Sequence, residues 1–101
     1  MAPLPDIVLY ARAGCSLCDE AREVIGLTLA DREAHGLAVP ALVEIDIEAD
    51  PILHRALFER IPVVELGNQR IELVVTVGKM RRLLNDTLGA TTPAEAGPTA
   101  R

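Results

Sequence analysis

Ile7-Val8-Leu9-Tyr10-Ala11-Arg12-Ala13-Gly14-Cys15-Ser16-Leu17-Cys18 runs from an aliphatic block, through a turn signal, into a pair of cysteines at the head of a helical pattern. The block from Asp6 to Tyr10 is short and apolar after its first residue, the pattern of a strand covered on both faces. Ala13-Gly14 marks the turn that ends it. From Ser16 onward, Cys18, Ala21, Ile25 and Leu29 recur at intervals of three and four, while Asp19, Glu20, Arg22 and Glu23 lie elsewhere around the wheel. The spacing predicts an amphipathic helix ending near Gly36, so the cysteines stand where a strand hands over to a helix.

The remainder of the chain repeats this vocabulary. Ala41 to Ile47 places Val43, Ile45 and Ile47 on one face and Glu44 and Asp46 on the other, which is strand alternation. Asp50-Pro51 reads as a helix start: Asp accepts hydrogen bonds from free amides, and Pro suits the first helical position. Leu53, Ala56 and Leu57 then supply that helix with an apolar face. Ile61 to Leu66, the turn Gly67-Asn68-Gln69, and Arg70 to Val74 read as a hairpin. Met80, Leu83, Leu84 and Leu88 mark a last helix, with Gly89 at its expected end. The order predicts an α/β domain, βαβ followed by ββα, with a four-stranded mixed sheet flanked by helices. The domain spans residues 1–89, and the small, polar, Pro-containing stretch 90–101 reads as a disordered tail.

Composition narrows what such a domain does. A length of 101 residues suits one compact core. Tyr10 and Phe58 are the only aromatic residues, so Leu, Ile, Val and Ala must build that core. A formal charge of -5 argues against nucleic acid and anionic lipid as partners. The longest apolar runs reach about half a dozen residues, far below the ~20 needed to span a bilayer. The N-terminus lacks the basic and apolar segments of a secretory signal, so a cytoplasmic location is expected. In that reducing setting two cysteines point to catalysis or metal binding rather than to a structural staple.

Cys15-Ser16-Leu17-Cys18 contains both cysteines of the chain. With Cys15 at the first helical turn and Cys18 one turn inward on the same side, the sulfurs can approach bonding distance without unwinding the helix. Free amides and the positive dipole end favour thiolate at Cys15. That dipole is worth roughly 0.3 to 2 kcal/mol, enough to move a thiol from ~8.5 toward 7 and no further unaided. The expected mechanism has Cys15 as nucleophile, forming a mixed disulfide with substrate, and Cys18 as resolving thiol. Arg12 would favour the thiolate and steer anionic substrates, or be an ordinary solvated loop residue. Tyr10 lines the site or packs beneath the helix. Pro62, at the start of a strand that is not obviously at an edge, needs a reason, and a cis peptide after Ile61 would supply one.

The chain resembles the glutaredoxin branch of the thioredoxin-like superfamily, in particular its small bacterial glutaredoxin-like members. The residues that carry the resemblance are Ile7 to Tyr10, Gly14 to Asp19, Glu44 to Ile47 before Asp50-Pro51, and Arg60-Ile61-Pro62-Val63-Val64. It implies a thioredoxin-like fold and a dithiol oxidoreductase that reduces protein or small-molecule disulfides. It implies further that Pro62 is cis beside the cysteine pair and that the backbone of Ile61 pairs with bound peptide or glutathione. Two stretches depart from the family pattern. Ser16-Leu17 stands where dithiol members carry Pro and an aromatic, and Val75-Thr76-Val77-Gly78 replaces a Gly-Gly and acidic segment that holds glutathione. Amides from Thr76 to Lys79, at a helix start, could still receive a carboxylate.

No bound cofactor is expected beyond the cysteine pair, with glutathione entering only as a co-substrate. A reductase or glutathione would donate electrons, and the protein is expected to be monomeric. Other functions compete with this one: an adaptor module whose cysteines serve stability or regulation, or an iron-sulfur or metal-binding protein. Zinc would need two further ligands, and His35 and His54 lack zinc-finger spacing. Both histidines read as surface residues.

Overall fold

A computed structural model describes residues 4–89; the tail expected at 90–101 lies outside the described residues. The elements follow the expected order: β1 (Ile7–Ala11), α1 (Ser16–Ala34), β2 (Leu42–Asp46), α2 (Pro51–Leu57), β3 (Val63–Leu66), β4 (Gln69–Glu72) and α3 (Val77–Leu88). A 3-10 turn, Ile47–Ala49, joins β2 to α2. The four strands lie in the order β2-β1-β3-β4. β1 is parallel to β2 and antiparallel to β3, and β3 is antiparallel to β4.

Register explains which face is buried. Ile7 pairs with Leu66 and Leu9 with Val64, and all four are fully buried. Glu44, the β2 partner of Leu9, shares their face and is held by Arg22 of α1. α1 therefore covers this face, joined by α3 through Met80, Leu83 and Leu84 of the same core cluster. The opposite face is covered only in part. Val8, Tyr10 and Glu65 are half-buried there, and Val43 is exposed, because β2 is an edge strand and α2 is one short helix packed mainly against the 3-10 turn.

Local differences from the sequence reading follow from this arrangement. Ile47 leaves the strand for the 3-10 turn, where it is fully buried. Ala56 is exposed, and α2 buries Leu57 alone. In α1 the buried stripe continues through Thr28 and Arg32, while Leu29 is only half-buried. β4 stops at Glu72 because Leu73 takes a positive φ of 68°. Among the described residues, no helix is long and apolar enough to cross a membrane.

Candidate active site

Strand directions gather the chemistry-bearing residues at one end of the sheet. β1 ends there at Ala11, antiparallel β3 begins there just after Pro62, and β4 ends there before the loop to α3. α1 and α3 both start at that end.

Cys15 is the N-cap of α1, extended at φ -104° and ψ 108°, and Gly14 before it has the positive φ of 74° that redirects the chain. Its Sγ accepts the Cys18 backbone N–H at 3.2 Å, so sulfur serves where Ser or Asp would cap. The cysteines are paired with a Cα separation of 5.2 Å. Cys18 is fully buried in the core, whereas Cys15 is half-exposed. This asymmetry leaves one sulfur open to an incoming partner and keeps the other behind it.

The Ile61–Pro62 peptide is cis, and both residues are buried. The Ile61 N–H donates to the Leu57 carbonyl at 3.0 Å, and the Pro62 carbonyl accepts the Leu73 N–H at 2.9 Å. Ile61 thus already uses its amide within the chain. Thr76 caps α3: its Oγ1 accepts the Lys79 N–H at 3.1 Å, which removes one amide from those expected to face an anion. Arg12 is exposed and makes none of the ion pairs seen among the described residues.

Tyr10 neither packs beneath α1 nor turns toward the cysteines. Its hydroxyl donates to Glu65 Oε1 at 3.2 Å on the other face, and Glu65 pairs with Val8, which lies further from the cysteine end. Burial and the nearby Glu65 carboxylate raise the Tyr10 pKa above its ordinary 10.0. His35 and His54 are both exposed, His54 stacking on Phe58, and no group of three or more metal-ligating side chains occurs among the described residues.

Sequence reading missed two features of this region. Arg22 is more than part of a solvated helix face: it grips Glu44 through Nε and Nη2 and Asp19 through Nη1, tying the first turns of α1 to β2. Leu73 also escaped notice, since nothing in an isolated leucine signals a left-handed backbone.

The glutaredoxin-like domain model (DUF836) matches residues 6–88. The chain belongs to this glutaredoxin-like family. Its fold is shared with a structural-genomics protein from X. campestris at a TM-score of 0.65 and 25% identity, covering 79% of this chain and 96% of that one. A protein from Nitrosomonas europaea, solved by NMR, matches at a TM-score of 0.52 and 26% identity, covering 88% of this chain and 92% of that one. No protein of curated function matches the chain significantly. This glutaredoxin-like chain thus combines a thioredoxin-like mixed sheet with a CxxC pair within bridging distance.

Proposed function

We propose that the protein is a thiol-disulfide oxidoreductase that reduces protein or small-molecule disulfides in a reducing compartment such as the cytoplasm. The observation that carries this reading is the half-exposed Cys15 at the N-cap of α1, directly in front of the fully buried Cys18. Helix-start amides and the Cys18 N–H favour thiolate at Cys15.

In the reduced protein, the Cys15 thiolate attacks one sulfur of a substrate disulfide. A Cys15–substrate disulfide forms, and the other substrate sulfur leaves as a thiolate that takes a proton from water. Cys18 loses its proton and attacks Cys15, giving the paired state and releasing the second substrate thiol. Two electrons from glutathione or a reductase return the pair to dithiol. No bound cofactor takes part, and the protein acts as a monomer without nucleic acid or membrane. Substrate contact in this reading falls to Arg12 and the cis-proline segment Ile61-Pro62, supported by their position at the same end of the sheet as Cys15.

Insulin reduction by the wild type, Cys15→Ser and Cys18→Ser tests the roles. Cys15→Ser is expected to be inactive, and Cys18→Ser to accumulate a mixed disulfide visible by mass spectrometry. Equal rates for wild type and Cys15→Ser would instead favour the adaptor function.

A further inference from the structure

At the end of the fold remote from the cysteines, where α1 and α3 both finish, the two helices border a cavity of about 170 Å³. Thr28, Arg32 and Leu84, all buried, line its inner wall with the half-buried Leu37. Asp31, His35 and Arg81 stand exposed at its mouth. At the ~30 Å³ that a water occupies in the liquid, the space suits roughly five waters or one small organic molecule.

The charge inside this cavity is unusual. Arg32 is 4% exposed, yet among the described residues no carboxylate pairs with it. Its hydrogen bonds go to neutral oxygens: the Ala38 carbonyl from Nε, Asn85 Oδ1 from Nη1 and the Gly89 carbonyl from Nη2. One N–H on each Nη nitrogen is left unused. Arginine is almost never fully buried unless paired, because burying a charge is costly unless it meets both an opposite charge and hydrogen bonds. Arginines elsewhere in the chain have that partner: hydrogen bonding to Glu44 raises the pKa of Arg22 and hydrogen bonding to Glu65 that of Arg70, whereas burial lowers that of Arg32. The carbonyl ends of the helices offset part of the charge. The last carbonyls of α1 are already taken, however, Asp31 and Arg32 accepting from the His35 N–H, Glu33 from Gly36 and Arg32 again from Leu37.

The mouth supplies a second cation. Arg81 lies 3.7 Å from Asp31 Oδ2, beyond hydrogen-bond range, and its side chain is 60% exposed, so the pair is worth little. Arg81 can leave Asp31 for an incoming anion at small cost, while His35 keeps its contact with Asp31 at 3.5 Å. Two guanidiniums against one carboxylate make the cavity positive on a chain whose formal charge is -5. Leu37 and Leu84 add an apolar wall that an inorganic anion would leave unused.

We infer that this cavity is a binding site for a small organic carboxylate with a short aliphatic body, its carboxylate clamped by Arg32 and Arg81 and its body covered by Leu37 and Leu84. The planar fork of a guanidinium matches a carboxylate, and the bound anion supplies the opposite charge that Arg32 lacks. The cavity stands at the other end of α1 from Cys15, so the site is independent of the redox reading.

Titration of the full-length protein with isovalerate, followed by backbone-amide NMR and calorimetry, tests this. Isoamyl alcohol supplies the same body without the charge, and inorganic phosphate the charge without the body. Isovalerate is expected to saturate, with shifts centred on Thr28, Arg32, Leu37 and Asn85, and to bind at least about tenfold more tightly than either control. Arg32→Gln is expected to abolish binding. Because that change also removes bonds between the helices, Arg81→Gln at the exposed mouth is the deciding variant: an intact fold and about tenfold weaker isovalerate binding are expected. No saturable shift with isovalerate, equal affinity for isoamyl alcohol, or unchanged affinity in Arg81→Gln overturns the site. Phosphate binding as tightly as isovalerate overturns the assignment to an organic carboxylate.

Discussion

Two residues lend themselves to direct measurement. Tyr10 is the sole tyrosine and the chain has no tryptophan, so absorbance near 295 nm follows one phenol. Burial, then the charge and hydrogen bond of Glu65, raise its pKa above 10.0 in the folded protein. The sign follows from linkage: a proton held more tightly in the folded state stabilises fully below the unfolded value, and that stabilisation is lost as pH rises through the raised folded value. The expected titration midpoint lies above that of free tyrosine, and Glu65→Gln brings it down. A midpoint unmoved by Glu65→Gln would show that the hydrogen bond has no hold on the phenol. Leu73 gives the second measurement. Leu73→Gly removes a cost of about 1–2 kcal/mol for the left-handed backbone and adds back about 0.5–1 kcal/mol of glycine chain entropy. A net gain of up to about 1.5 kcal/mol is expected in urea denaturation, and a loss would mean that the side chain packs more tightly than its exposure suggests.

Elements were legible where local chemistry decides them. The change from an aliphatic run to three-and-four spacing around Gly14 located β1 and α1, and Asp50-Pro51 and Gly89 marked helix ends that the structure uses, with Asp50 Oδ1 accepting from Ile52 and Leu53. Legibility failed where tertiary context takes over. Alternation in β2 is genuine, yet its edge position leaves Val43 in solvent. Leu53, Ala56 and Leu57 predict a buried face for α2, but only Leu57 is buried and Leu53 packs partly against the core, because the helix is short and touches mainly the turn before it. Thr76 was read for the amides around it, and its own hydroxyl proves to be the cap. Thr76→Ala is therefore expected to cost about 1 kcal/mol in denaturant unfolding and Thr76→Asn much less, since Asn can also accept the Lys79 N–H. Equal losses from both would assign the cost to something other than the cap.

At the scale of the whole molecule, one buried charge ties the end of the fold remote from the cysteines. Cys18, Ala21, Ile25, Thr28 and Arg32 continue a single stripe of three-and-four spacing, and Arg32 at its end is only 4% exposed. A charged residue at the end of an apolar stripe reads as solvent-facing until its acceptors are seen. Its Nε donates to the Ala38 carbonyl at 2.7 Å, Nη1 to Asn85 Oδ1 at 3.3 Å and Nη2 to the Gly89 carbonyl at 3.2 Å. These bonds join α1 to the approach of β2 and to the end of α3, where the carbonyl ends of the helices suit a cation. Burial lowers the Arg32 pKa, but a guanidinium stays charged at any working pH. Arg32→Ala would strand these acceptors and open space between the helices. The expected loss is roughly 2–3 kcal/mol in urea denaturation, with Arg32→Lys recovering only part because an ammonium lacks the planar fork. Arg81→Ala is the control: its side chain is 60% exposed and lies 3.7 Å from Asp31, so less than about 0.5 kcal/mol is expected. Similar losses at the two positions would refute the bridging role of Arg32. Because the bridge lies at the opposite end from Cys15, its removal should lower stability while leaving the Cys15 alkylation rate unchanged at temperatures where the fold persists.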